Sequence, residues 1–115
     1  MSRIADKHTV IAIDFPGMGK SEPVAEVHTM TMMAEVVHAL LQESNIDKAT
    51  LIGHSMGGYI TLAFIDLFED KAEKIILLNT TSIADSEERK SVRNRSVQLV
   101  RERPKAYISM AIGNW

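Results

Sequence analysis

The chain has 115 residues, 45% of them hydrophobic and 24% charged, with a formal net charge of −2 and a mean hydropathy of −0.03. There is enough apolar material to bury a core, which argues against disorder, and the charge balance does not suggest nucleic acid. The absence of cysteine excludes disulfides, thiolate catalysis and cysteine-ligated metal sites.

Thr9–Ile13 is a short β-branched apolar run stopped by Asp14-Phe15-Pro16-Gly17, the pattern of a buried parallel strand. Gly19-Lys20-Ser21 then resembles the end of a phosphate-binding loop. The first glycine of that loop would fall at Asp14, whose carboxylate repels phosphate, and Pro23 lies where the helix should be running. A tight turn is the better reading. Met32, Met33, Val36, Val37, Leu40 and Leu41 recur at helical spacing and predict an amphipathic helix from about Thr29 to Glu43. His38 lies off that stripe and reads as a solvated histidine. Ala49–Ile52 is a second buried strand, stopped by Gly53. Met56 to Phe68 follows a helical pattern with Tyr59, Ile60, Leu62, Ala63 and Leu67 apolar, and Lys74–Leu78 is a third strand ending at Asn79-Thr80-Thr81. Asp85 or Ser86 can cap a long charged helix that has Glu87 and Glu88 in its first turn. Pro104 ends that helix or begins the next. Strands alternating with helices imply an α/β fold with parallel strands and right-handed crossovers.

The segment with chemical content is Gly53-His54-Ser55-Met56-Gly57, a G-x-S-x-G pattern between a predicted strand and a predicted helix. A nucleophilic serine at such a turn sits on strained backbone that crowds the residues two before and two after it. Gly53 and Gly57 have no Cβ to clash there. Ser55 would stand at the tip of the sheet and at a helix N-terminus, with the backbone N–H of Met56 aimed at a developing oxyanion. Gly58 adds room for close helix–strand contact. The alternative is a glycine-rich turn that only packs a helix tightly on its strand.

At this point the sequence resembles a family. Asp14-Phe15-Pro16-Gly17-Met18-Gly19-Lys20-Ser21 is similar to the D-x-P-G-x-G-x-S turn of α/β-hydrolases, and Leu51–Gly58 is similar to their nucleophile elbow. Lys74–Asn79 resembles the strand after the elbow helix, and the helix from Asp85 resembles the start of an inserted lid. The resemblance implies an incomplete α/β-hydrolase core: about three parallel strands, flanking helices and the beginning of a helical lid. Residues 1–84 would be the partial core with its elbow, and 85–115 the lid segment. It implies a serine hydrolase acting on a carboxylic ester, lactone or related small-molecule acyl substrate, with no cofactor and no metal.

That chemistry needs a base and an acid, supplied in the family in the order serine, acid, histidine. His8, His28, His38 and His54 are the four histidines, and none follows Ser55. His54 adjoins the serine with its side chain turned from the line of attack, His8 falls at the amino end of the sheet, and His28 could reach the carboxyl side. The base is therefore unassigned. Asp85, shortly after the third strand, is the acid candidate, with helix capping as its simpler role; Asp66 and Asp70 read as surface charges. The resemblance also implies a strand between those ending at Asp14 and Gly53, which nothing before Thr9 supplies. The expectation is the middle of a longer hydrolase, inactive alone, with base and acid outside residues 1–115. A non-catalytic interaction module retaining the elbow as packing is the alternative. A strand missing its neighbour leaves unpaired backbone and exposed apolar surface, so self-association is expected.

Residues 1–84 carry 6 basic and 11 acidic side chains, and residues 85–115 carry 7 and 4. The basic residues of the second segment spread around a helix among Glu87, Glu88 and Glu102, so a solvated lid helix explains them better than nucleic-acid binding. Ala49–Ile65, the longest mainly apolar stretch, is interrupted by Gly53, His54, Gly57 and Gly58 and is too short to span a membrane. Arg3, Asp6, Lys7 and His8 interrupt the N-terminus before any apolar run, so no export signal is read and the cytoplasm is the expected compartment.

Overall fold

The computed structural model describes residues 2–112, so the last three residues of the predicted 85–115 segment lie outside the described residues. The chain divides into two compact units, Met1–Ser82 and Ile83–Trp115.

The first unit opens with a short helix, α1 (Ser2–Ala5), which the sequence does not signal. Helix α2 (Met30–Glu43) starts where its spacing predicts. Thr29 is its N-cap, and the Thr29 side chain accepts the Met32 N–H at 3.1 Å, satisfying one orphan donor of the first turn. Strand β1 (Ala49–His54), helix α3 (Met56–Phe68), a 3-10 turn (Glu69–Lys71) and strand β2 (Ala72–Leu78) follow. The two strands pair in parallel, from Thr50↔Lys74 to His54↔Leu78, so β1–α3–β2 is one βαβ unit.

Met33, Ala34, Val37 and Leu41 of α2 close on Ile60 and Phe64 of α3 to form the core. Each large side chain buried this way contributes about 1.5–3 kcal/mol. Phe64, with no exposed surface, is absent from the predicted apolar positions of α3, whereas Leu67, which is among them, is 44% exposed. The reason is visible in the sequence: α3 has one charged residue, Asp66, so periodicity has no polar face with which to orient the helix. His38 departs from its expectation too. It is half-buried and its ring stacks on Phe68, centroids 4.0 Å apart.

Thr9–Ile13 is not a strand. It runs as irregular backbone, with Ile13 and Phe15 packed at the margin of the core, and the sheet has two strands rather than three. A parallel strand is held by ladder bonds to a neighbour; β1 is paired with β2 alone and Thr9–Ile13 makes no ladder to either strand. The register also fixes the faces. Gly53 lies against α3, and with it Leu51, while Thr50, Ile52 and His54 point the other way. Ile52 is 58% exposed and its partner Ile76 44%, and on the α3 side Ile75 is 43% and Leu77 38% exposed, so α3 covers β1 on one side while the Ile52–Ile76 side is bare and β2 stays open on both.

The second unit contains α4 (Glu87–Glu102) and α5 (Pro104–Ile112). Ser86, not Asp85, caps α4, its side chain accepting the Arg89 N–H at 3.3 Å. Lys90 pairs with Glu87 at 2.7 Å. Pro104 opens α5, where its missing N–H leaves no intrahelical bond unmade. Helix α4 buries none of its residues. Among the described residues no helix is long and apolar enough to cross a membrane, and no group of three or more His, Asp or Glu is placed to hold a metal ion.

Candidate active site

Ser55 joins β1 to α3 with φ 51° and ψ −115°. It shares positive φ with two other described non-glycine residues, Asn45 and Asn79. Asparagine tolerates that region; for serine the conformation stores about 1–3 kcal/mol and persists only where its surroundings over-determine it. Here the surroundings can be named. The Ser55 N–H donates to Leu78 O at 3.0 Å, tying the turn to the end of β2, and the Gly58 N–H donates to Ser55 O at 3.0 Å, closing the first turn of α3.

Glycines let these segments meet. A Cβ on Gly53 would lie 2.5 Å from Gly57 O and 2.6 Å from Thr61 Oγ1, and one on Gly58 would overlap the Thr80 side chain. Gly57 is different. A Cβ there would meet nothing within 4 Å among the described atoms, so the expectation that both flanking glycines relieve a clash holds for Gly53 and fails for Gly57. The Ser55 side chain is exposed and makes no capping bond to α3, although serine at an N-cap ordinarily does so. Met56 is the first residue of α3, so its N–H has no intrahelical acceptor and lies at the positive end of the helix dipole.

Each histidine of interest has its own surroundings. His28 Nε2 accepts the Val24 N–H at 3.2 Å, His38 stacks on Phe68, and His54 Nε2 lies 3.4 Å from Asn79 Nδ2. His8 is exposed ahead of the irregular segment. Asp85 belongs to the second unit, where the Arg93 guanidinium contacts both carboxylate oxygens. That hydrogen bond holds the Asp85 carboxyl below its usual range, with Arg93, Arg89 and Lys90 charges adding to the effect. Its observed role is therefore an ion pair, in place of the helix cap expected as the simpler reading.

The Asp14–Ser21 segment is a turn closed on itself. Asp14 Oδ2 accepts the Lys20 N–H at 3.1 Å and Asp14 O accepts the Ser21 hydroxyl at 2.6 Å. Gly17 and Gly19 have φ of 78° and 55°, and the Asp14 carboxylate occupies the space a Cβ on Gly19 would need. The chain's own carboxylate fills the place where a phosphate-binding loop would leave its N–H groups open.

In the sequence Asn79-Thr80 reads only as a strand terminator. In the structure Leu78, Asn79 and Thr80 together contact Ser55, His54 and Gly58. The available signal was an asparagine directly after an apolar strand, a residue suited to left-handed backbone.

A family model described as alpha/beta hydrolase fold matches residues 1–104. The chain belongs to the α/β-hydrolase fold family. A solved structure of a thermophilic esterase from Thermogutta terrifontis with malate bound superposes with a TM-score of 0.77 at 33% identity. The match covers 84% of this chain and 36% of that one. Esterase YbfF of Escherichia coli is 32% identical over 80 residues, 70% of this chain and 31% of its own length. The dihydrolipoyllysine-residue acetyltransferase component of the acetoin cleaving system of Cupriavidus necator is 44% identical over 55 residues, 48% of this chain and 15% of that protein. This member of the α/β-hydrolase fold family thus spans roughly a third or less of the length of these relatives.

Proposed function

We propose that Ser55 is the nucleophile of a serine hydrolase that cleaves a carboxylic ester or related acyl substrate. The observation that carries this reading is the strained, exposed Ser55 at the start of α3, whose hydroxyl is not spent on capping the helix. The hydroxyl oxygen attacks the acyl carbon and its proton passes to a base. The carbonyl oxygen gathers negative charge beside the Met56 N–H, and the leaving alcohol takes a proton as the acyl-enzyme forms. Water then releases the acid by the same route in reverse. The esterase names among the relatives support the ester class. His28, His38 and His54 have other partners, His8 is exposed ahead of the irregular segment and Asp85 pairs with Arg93, which supports a base and an orienting acid supplied from outside residues 1–115.

The test is ester hydrolysis by the full polypeptide that carries these residues. Ser55→Ala should lower kcat by roughly 10⁶, the magnitude for removing a serine nucleophile; an unchanged rate contradicts the assignment.

The engagement of these histidines also favours a second reading for the 115 residues taken alone, a non-catalytic module that keeps the elbow as packing. It predicts that Ser55→Ala leaves every function of the full polypeptide intact.

A further inference from the structure

The strained turn at Ser55 is braced by three consecutive residues at the end of β2. Leu78 O accepts the Ser55 N–H, the Thr80 side chain fills the space over Gly58, and between them Asn79 lies with Nδ2 3.4 Å from His54 Nε2. The first two contacts act on the backbone. The third acts on the side chain immediately preceding the serine, and β1–β2 pairing ends at that level, His54 opposite Leu78. Asn79 itself has φ 46°. Only glycine, asparagine and aspartate visit that region readily, and of these only asparagine brings an amide donor. The backbone demand and the side-chain contact therefore select the same residue.

We propose that Asn79 is a positioning residue for the elbow: its amide donates to His54 Nε2, fixes the imidazole as the Nδ1–H tautomer, and ties the side chain of the residue preceding Ser55 to the end of the neighbouring strand. The importance of this strut for reaction rests on the reading of Ser55 as nucleophile, whereas the strut itself does not. The hydrogen a histidine carries is set by the partner of its other nitrogen. With Nε2 accepting from Asn79, the ring hydrogen is confined to Nδ1. His54 is exposed, so without that partner it has no reason to depart from the Nε2–H form that predominates for histidine side chains in water.

The test reads the ring directly, by nitrogen–proton correlation NMR of the histidine side chains in the 115-residue chain at a pH above the imidazole range. Asn79→Gly keeps a residue suited to φ 46° while deleting the amide, so it separates the strut from the turn. Asn79→Asp keeps the turn and replaces the donor with an acceptor. The wild type should show His54 mainly as Nδ1–H, Asn79→Gly should shift it to mainly Nε2–H, and Asn79→Asp should place the hydrogen on Nε2 facing the carboxylate. His28 and His38 signals serve as controls for intact folding and should stay in place in all three. A wild-type His54 that is mainly Nε2–H, or one whose tautomer is the same whatever occupies position 79, overturns the proposal. Ser55→Ala should leave the His54 signals unchanged, so a protein in which Ser55 proves unreactive defeats the nucleophile reading and leaves this result standing on its own.

Discussion

At the scale of single residues, the site is built on one unfavourable backbone conformation and the small residues that permit it. Ser55→Gly and Ser55→Ala both remove the hydroxyl, but only glycine relieves φ 51°. The glycine variant should be more stable than the alanine variant by about 1–2 kcal/mol, allowing for the extra unfolded-state entropy of glycine. Urea denaturation of the two proteins checks this, and equal midpoints would mean the turn carries no strain. Gly53 and Gly57 separate in the same way. A Cβ on Gly53 collides with the backbone of α3, so Gly53→Ala should cost about 1–3 kcal/mol as an overpacking change. Gly57 faces open space inside a helix, so Gly57→Ala should be neutral or stabilising by up to about 1 kcal/mol from helix propensity alone. Thermal melts of the pair decide between this and the symmetrical clash that the motif suggests. The motif was legible because G-x-S-x-G sits between an apolar strand and a helical pattern. Asn79 and Thr80 were not legible as parts of it, since they lie 24 and 25 positions beyond Ser55 in the chain and reach it only through parallel pairing of β1 with β2.

At the scale of elements, local signals were sufficient where an element carries its own caps or contrast. Helix α2 has a threonine cap and a two-sided pattern, and it forms where expected; β1 and β2 are apolar runs that find each other across α3. Thr9–Ile13 has an equally strong strand composition and no ladder, because strand formation depends on a neighbour that composition cannot supply. The 3-10 turn is tied to the α2–β1 loop by Lys71, 2.9 Å from Asp47. The pair has a testable signature at both ends of the pH scale. Its hydrogen bond lowers the Asp47 pKa from 3.8, a contribution to stability present above that value and lost as pH falls through the depressed folded value. The same bond raises the Lys71 pKa from 10.5, a contribution present below that value and lost as pH rises through the elevated one. Lys71 also lies 3.6 Å from Asp70, so Asp47→Asn should remove a small acid-side loss of melting temperature and reduce a small alkaline-side one, and both should shrink in the wild type at high salt. A pH–melting curve identical to wild type would mean the pair contributes nothing measurable, as many exposed ion pairs do.

At the scale of the whole molecule, an α/β-hydrolase fold is recognisable from two motifs in the right order, and 84% of the chain superposes on a solved esterase. The position of the histidines was equally plain in the sequence, and the structure gives His28, His38 and His54 partners of their own. The bare sheet face was less legible, because it depends on which helices are present to cover Ile52 and Ile76. That face is the physical ground for proposing that the 115-residue chain self-associates. Light scattering should give a mass above 12.8 kDa, and a monodisperse species at that mass would count against it. The most direct test of the central claim, that Ser55 is a nucleophile whose base lies outside these residues, is intact-mass analysis with a fluorophosphonate probe. The full polypeptide should gain one adduct that maps to the Ser55 peptide and disappears in Ser55→Ala, while the 115-residue chain stays unlabelled. An adduct retained in Ser55→Ala, or none in the full polypeptide, would contradict the nucleophile, and labelling of the 115-residue chain at Ser55 would contradict the external base.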